Sequence, residues 1–273
     1  MPFIPPALAS PWPGELPKGL WLVEEKLDGH RMVVERHDRG FDAWSRDGKE
    51  RGSKFPAHIA EPLFKLPEGI YDGELLVPGG HSSDVTMLTK QGDLVLVLFD
   101  VLRYGGVNLI QGSANSLPLN ERRKILMGEL NIHGLTLNSV CVSAAMLAAN
   151  TSDVFEIAEP IWNRGGEGIV AKLADSEYRS GKRMKQWLKL KTLESAVLTL
   201  TRYEPGLMGP NSVAVLTDDD GNEVPVKWKN HDWLDEALVR GAANIGRKVR
   251  IEFQERTRDG AYRHPRWDRW EDA

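Results

Sequence analysis

Along the first hundred positions, bulky apolar and polar residues alternate in short runs broken by Gly, Asp and Pro, which predicts strands joined by turns. Leu22–Arg31 and Met32–Arg36 read as the two strands of one hairpin. Asp28-Gly29 is its turn, because Gly accepts a positive φ and Asp bonds its own backbone. Phe41–Arg46 alternates again and stops at the turn Asp47-Gly48. Ile70–Val77 reads as a turn feeding an apolar strand, and Asp93–Leu102, the most apolar run, as a central strand. Pro78–Gly92 between them has the composition of a long loop. Residues 1–20, rich in Pro and Gly, read as an irregular arm.

Helical spacing enters further along. Leu119–Leu130 reads as a helix behind Pro118, with basic residues on one face. Val154, Ile157, Ala158, Ile161 and Trp162 recur at helical spacing after the capping pair Ser152-Asp153. Pro160 predicts a kink there, or two short segments. Gly165–Gly168 then leads into a strand at Ile169–Lys172. Past a candidate hinge at 192–194 the pattern changes to short strands at 195–203, 212–217, 223–228 and 248–255. A hairpin turn at Asp219–Asn222 and one helix at 231–242 complete this part. Such a pattern suits a small Greek-key barrel, with the OB-fold as leading candidate. The expected domains are 1–192 and 193–273.

The net charge of −4 advertises no polyanion partner for the chain as a whole. Yet Arg179, Lys182, Arg183, Lys185, Lys189 and Lys191 follow one another with no acid between them, and local clusters of this kind contact phosphate. The lone Cys141 rules out an intrachain disulfide and reads as a small buried apolar residue; no Cys/His cluster has zinc spacing. The first residues lack the pattern of a secretory leader, and the apolar run Leu94–Phe99 is too short to span a bilayer. The expected location is the cytoplasm, or the host cytosol for a viral protein.

Lys26-Leu27-Asp28-Gly29-His30-Arg31 changes this picture. Taken alone, a lysine beside a turn is an ordinary exposed charge. As K-x-D-G-x-R it resembles the nucleophile motif of the covalent nucleotidyltransferases: DNA ligases, RNA ligases and mRNA capping enzymes. Five further stretches resemble that superfamily's motifs and stand in its order. They are Ser45-Arg46-Asp47-Gly48, Asp72-Gly73-Glu74, Leu98-Phe99-Asp100, Glu167-Gly168-Ile169-Val170 and Trp187-Leu188-Lys189-Leu190-Lys191. The tail Arg263-His264-Pro265-Arg266-Trp267 is similar to the R-H-P-x-F of DNA ligases and favours them over capping enzymes. The resemblance, running from about residue 21 to the end, is to ATP-dependent DNA ligases of minimal phage or bacterial type. It implies an α+β fold: a nucleotidyltransferase (adenylation) core of antiparallel sheets with flanking helices, plus a C-terminal OB-fold barrel.

The chemistry of these residue types is consistent with that family. A lysine attacks phosphorus only when neutral, whereas the free amine titrates near about 10.4, so a nucleophilic lysine needs cations around it. Arg31, Lys189, Lys191 and a metal ion would supply them. Lys189 and Lys191, two apart on a strand, share one face. The resemblance further implies that Lys26 attacks the α-phosphate of ATP, keeps AMP through a phosphoramidate and releases pyrophosphate. It implies that Glu24 reads the adenine amino group, Phe99 stacks on the base, and Glu74 binds ribose or metal. Glu167 would hold Mg2+, with Mn2+ as a substitute. Arg31 and Arg46 would contact phosphate, Arg46 also gripping the 5′-phosphate of a nick. Arg263 or Arg266 would cover the pyrophosphate after the second domain swings about 192–194.

The implied partner is nicked duplex DNA, engaged by a monomer with no membrane and no obligate protein partner. Lys26 stands too near the start for a preceding domain, so core plus barrel would bind DNA alone, helped by loops such as 78–92. Glu271-Asp272-Ala273 departs from the arginine and closing Asp-Lys of many DNA ligases, which leaves open which tail arginine serves the first step. The alternatives are an RNA ligase and a non-catalytic nucleic-acid-binding relative. The retained lysine argues against the second.

Overall fold

The computed structural model describes residues 3–132, 139–192, 194–206, 209–227, 241–253, 256, 260–262 and 265–271. In chain order come β1 (Leu8–Pro11), β2 (Trp21–Glu25), β3 (His30–His37), β4 (Gly40–Ser45) and the short helix α1 (Ala57–Leu63). Next are β5 (Gly69–Leu76), β6 (Val95–Tyr104), β7 (Val107–Asn108), α2 (Leu119–Ile132), β8 (Val140–Val142) and β9 (Ala145–Ala148). Helix α3 (Thr151–Asn163), β10 (Gly168–Leu173) and β11 (Arg183–Lys191) follow. By internal contacts the chain divides into two compact units, Met1–Leu190 and Lys191–Ala273.

The first unit holds two sheets. One has the order β1-β11-β10-β2-β9; the other runs β4-β3-β5-β6-β7, with β8 also pairing β6. The expected hairpin is therefore absent: β2 and β3 belong to different sheets, and the stretch 26–29 crosses from one to the other. Alternation reveals a strand but not its partner, because pairing is settled by distant segments. Both sheets are mixed rather than antiparallel throughout, since β1 lies parallel to β11 and β8 parallel to β6. The expected irregular arm contains β1, and Ser10 Oγ ties it to Met184 O at 2.8 Å.

Other expectations shift in smaller ways. Asp72-Gly73 is no turn but lies inside β5, beside a register shift against β6. The 78–92 loop forms two 3-10 turns, Ser82–Thr86 and Leu88–Asp93. Helix α3 continues through Pro160 as one element, and its cap is Asn150 rather than Ser152. Pro160 leaves Glu156 O without its intrahelical N–H, and the helix ends three residues later at Asn163. Cys141 in β8 is half-buried, not buried, and burial raises its thiol pKa.

Packing explains why β3 carries three apolar residues in a row, Met32-Val33-Val34. Met32 and Val34 join the core beneath α1 and α2, with Tyr71, Leu96, Leu98 and Leu126. Val33, pointing the other way, meets Leu102, Tyr178, Met184 and Trp187 in a core shared with β11. A third core seats α3 on β2 and β10 through Trp21, Val23, Val154, Ala158 and Ile169. Full burial of each Val, Leu, Ile or Met side chain among these stabilises the fold by about 1.5–3 kcal/mol.

The second unit has β12 (Glu194–Gly206), β13 (Gly209–Thr217), β14 (Glu223–Lys227), β15 (Lys248–Phe253) and β16 (Arg266–Trp270). They form an antiparallel sheet in the order β14-β13-β12-β15-β16. Leu198, Leu200, Leu216, Val226, Ile251 and Phe253 are its core. Asp218 and Asn222 close the expected turn, with the Asp218 N–H donating to Asn222 O at 3.1 Å. β16 was not expected. Most of the 231–242 helix and residue 193 of the hinge lie outside the described residues.

Candidate active site

Lys26 is held by two backbone facts. Its N–H donates to Gly168 O at 2.8 Å, carrying the β2–β10 pairing one residue past β2. Gly168 has φ +133°, a conformation that favours glycine, and this turns Glu167 toward Lys26. Lys26 Nζ then donates to Glu167 Oε2 at 2.5 Å. Gly29, read as a positive-φ turn residue, is not in that region. It is required because a Cβ there would stand 2.4 Å from Leu75 O and 3.0 Å from Glu74 Cγ. The crossing strand passes that close to β5.

Arg31 faces Glu74 across the β3–β5 pair, and Asp72 is its diagonal neighbour. Arg31 Nε donates to Asp72 Oδ1 at 2.6 Å and Nη2 to Oδ2 at 2.7 Å. Tyr178 donates its hydroxyl to the same Oδ2 at 2.6 Å, and the Ala7 N–H donates to the Tyr178 oxygen at 2.8 Å. Burial works to lower the Arg31 pKa, and Asp72 more than reverses it. Burial pushes the Glu74 carboxyl up to about 7, against the pull of Arg31 and Lys26.

The base-reading candidates are built the same way. Glu24 pairs with Val170 across β2–β10, which makes Lys172 its diagonal neighbour; Lys172 Nζ donates to Glu24 Oε2 at 2.7 Å. Arg123 of α2 donates from Nη1 to Glu24 Oε1 at 2.7 Å. Burial pulls the Lys172 pKa down while Glu24 opposes it. Phe99 is 7% exposed, with the Arg31 guanidinium carbon 4.5 Å and the Lys172 amine 4.1 Å from its ring centroid.

The basic face expected on α2 is thus turned inward. Arg122 and Arg123 are 0% and 5% exposed, and Arg122 makes a bidentate pair with the fully buried Asp100 at 2.7 and 2.8 Å. A signal was available: Leu119, Arg122, Arg123 and Leu126 lie at i, i+3, i+4 and i+7, so the arginines share a stripe with buried leucines.

A cavity of about 510 Å³ gathers Glu24, Lys26, Arg31, Arg46, Glu74, Phe99 and Lys189 on its walls. Glu167 reaches it through Lys26. Sequence reasoning gave no role to His30, Arg51, Ser143 and Lys172, which line it as well, together with Arg183 of the basic run. Lys191 ends β11 and is the first residue of the second unit, in which Arg266 also lies, exposed on β16. Arg263 lies outside the described residues. Among the described residues no group of three or more His, Cys, Asp or Glu could hold a metal ion. Glu74 and Glu167 still fit Mg2+, which binds through one or two carboxylates plus substrate phosphates and water.

Known proteins resemble this chain in sequence and in fold. A DNA ligase of Methanothrix thermoacetophila is 27% identical over 248 residues, 82% of this chain and 43% of its own length. A probable DNA ligase of Kineococcus radiotolerans is 32% identical over 194 residues, 67% of this chain and 36% of its own. The chain thus spans less than half of either relative. A solved Lig E DNA ligase, described as binding DNA with a minimal scaffold, superposes with a TM-score of 0.70 at 18% identity, covering 97% of this chain and 98% of that one. The family model of the ATP dependent DNA ligase domain matches residues 14–191, which hold every cavity-lining residue except Leu8 and Ala9, and the chain belongs to that family.

Proposed function

We propose that the protein seals 5′-phosphate/3′-hydroxyl nicks in duplex DNA, using ATP and a lysyl-AMP intermediate on Lys26. The observation that carries this reading is the place of the Lys26 amine. It lies at a cavity wall, 2.5 Å from one carboxylate, with Glu74, Arg31, Arg46 and Lys189 around the same space.

In the first step the Lys26 nitrogen attacks the α-phosphorus, the N–P bond forms, the bond to the β-phosphate oxygen breaks, and pyrophosphate leaves. Glu167 accepts from the amine and orients it. Arg31, fixed on Asp72, and Lys189 stabilise charge growing on the phosphoryl oxygens. Glu74 and Glu167 would hold Mg2+, which when bound neutralises phosphate charge. Phe99 and Glu24 form the base pocket. AMP then passes to the nick 5′-phosphate, gripped by Arg46. The 3′-hydroxyl displaces AMP and closes the strand.

The second unit is an OB-fold in this reading, with 1–192 and 193–273 as the domains. Its five antiparallel strands around one apolar core support that assignment. Lys191 and a tail arginine, Arg263 or Arg266, act on the leaving pyrophosphate. The protein works as a monomer in the cytoplasm; no helix among the described residues is long and apolar enough to cross a membrane.

The test is incubation with α-labelled ATP and Mg2+, mass spectrometry for one added AMP on Lys26, and then an offer of nicked DNA and nicked RNA duplexes. Covalent AMP followed by sealed DNA is the expected result. No covalent AMP sinks the reading, and sealing confined to RNA replaces it with an RNA ligase.

A further inference from the structure

Behind Arg31, groups from four separate stretches of the chain close a ring of hydrogen bonds. Arg31 Nη2 donates to Asp72 Oδ2 at 2.7 Å and, at a longer 3.4 Å, to Ala7 O just before β1. The Ala7 N–H donates to the Tyr178 oxygen at 2.8 Å, and the Tyr178 hydroxyl donates to Asp72 Oδ2 at 2.6 Å. Ala7, Asp72 and Tyr178 are all fully buried. Tyr178 stands in the link between β10 and β11, its ring edge-on to Trp187 with centroids 5.6 Å apart. A buried ionic network is a poor source of stability, because desolvation offsets the attraction. What this one controls is the outer end of Arg31, which lines the cavity.

A guanidinium carries its N–H donors in one rigid plane: one on Nε and two on each terminal nitrogen. Nε gives its hydrogen to Asp72 Oδ1, and Nη2 gives its pair to Asp72 Oδ2 and Ala7 O. Among the described residues, the pair on Nη1 is left for a ligand. The aim of Nη1 therefore follows the Asp72 carboxylate, because a bidentate pair turns as one body. A carboxylate turns easily about its last torsion unless a further partner holds it. Tyr178 is that partner. A phenol has a single hydrogen, and the Ala7 N–H occupies the oxygen from the other side, so the hydrogen is directed at Asp72. Burial, and then the Asp72 charge, raise the Tyr178 pKa well above its ordinary value, so the hydroxyl keeps its proton.

We propose that Tyr178 is a positioning residue for nucleotide transfer: oriented by the Ala7 N–H, it fixes the Asp72 carboxylate, which aims Nη1 of Arg31 at the bound nucleotide. This rests on the reading of the cavity as the place where AMP is transferred to Lys26. A donor held in place before charge develops needs no reorganisation when it does, so the hold on Arg31 is part of its effect. The Pro-rich arm thereby joins the active site through the backbone of Ala7, one N–H and one carbonyl, with no chemistry in its side chain.

The experiment is a double-mutant cycle on the full chain, read as the rate of covalent AMP formation from α-labelled ATP and Mg2+. Tyr178→Phe keeps the ring against Trp187 and removes only the hydroxyl. It should lower the rate at least about tenfold. In an Arg31→Lys background there is no planar fork to aim, and the same change should cost less than about twofold. A second readout needs no catalysis: the Nε–H signal of Arg31 in 15N-labelled protein, assigned by its loss from Arg31→Lys. Its hydrogen should exchange slowly in wild type and at least about tenfold faster in folded Tyr178→Phe. A folded Tyr178→Phe with the parental rate overturns the proposal. So does an equal loss in the two backgrounds, which marks Tyr178 as a packing residue alone. Exchange at the same rate in wild type and Tyr178→Phe overturns it whatever the labelling shows, and decides the matter if Arg31→Lys takes no label. Fast exchange of that hydrogen in wild type overturns it without any variant. Wild-type protein that takes no label from ATP refutes the reading of the cavity, and this proposal with it.

Discussion

Lys26 Nζ and Glu167 Oε2 lie 2.5 Å apart although 141 residues separate them in the chain. The carboxylate proposed to hold Mg2+ is the one that holds the proposed nucleophile. Both side chains are mostly buried, 22% and 13% exposed, so the pair is screened less than a surface salt bridge.

Lys26→Ala should abolish covalent AMP, and Glu167→Gln should slow its formation by about 10²-fold or more, the scale of losing one preorganised electrostatic group. Mass spectrometry of protein incubated with ATP and Mg2+ reads both. AMP recovered on the Lys26→Ala chain would place the nucleophile elsewhere.

Asp72 is fully buried and takes hydrogen bonds from Arg31 and Tyr178. Asp72→Ala strands the guanidinium without its counter-ion and should cost about 3–5 kcal/mol of stability. Urea unfolding measures this; a loss under about 1 kcal/mol would show that water takes over the pairing.

Gly29→Ala forces a methyl into the 2.4 Å gap to Leu75 O. The expected loss is about 1–3 kcal/mol, with slower adenylation because Lys26 is three residues away on the same crossing segment. Unfolding midpoints and label transfer on the same preparation check both. Full activity with parental stability would show that the crossing segment yields freely.

His30 is held below its ordinary pKa of 6.5, first by burial and then by Arg51. Above pH 6.5 the ring is neutral in both folded and unfolded chains. As pH falls through 6.5 the unfolded chain binds a proton that the folded one resists, so stability is lost. His30→Gln removes this loss. The stability of wild type relative to His30→Gln should therefore decline between pH 7.5 and 5.5, as followed by urea midpoints. Parallel pH curves for the two proteins would mean that His30 titrates alike in both states.

The order of the motifs, the positions of most strands and part of the cavity lining (Glu24, Lys26, Arg31, Arg46, Glu74, Phe99 and Lys189) were legible from the chain alone. Motif chemistry and side-chain alternation are local properties, written in spacings of two to seven residues. Partners were not. Trp21–Glu25 and His30–His37 look like one hairpin, yet pair in different sheets, because strand partners are chosen by burial against segments far away in sequence. Gly29 reads as a turn glycine, and only the approach of Leu75 shows it to be a contact glycine. Arg122 and Arg123 read only as basic residues on one face of a helix, and only Asp100 and Glu24 brought beneath α2 make them buried ion pairs. A cation can enter a core only when a carboxylate from elsewhere is already there to meet it, and that proximity is created by the tertiary structure.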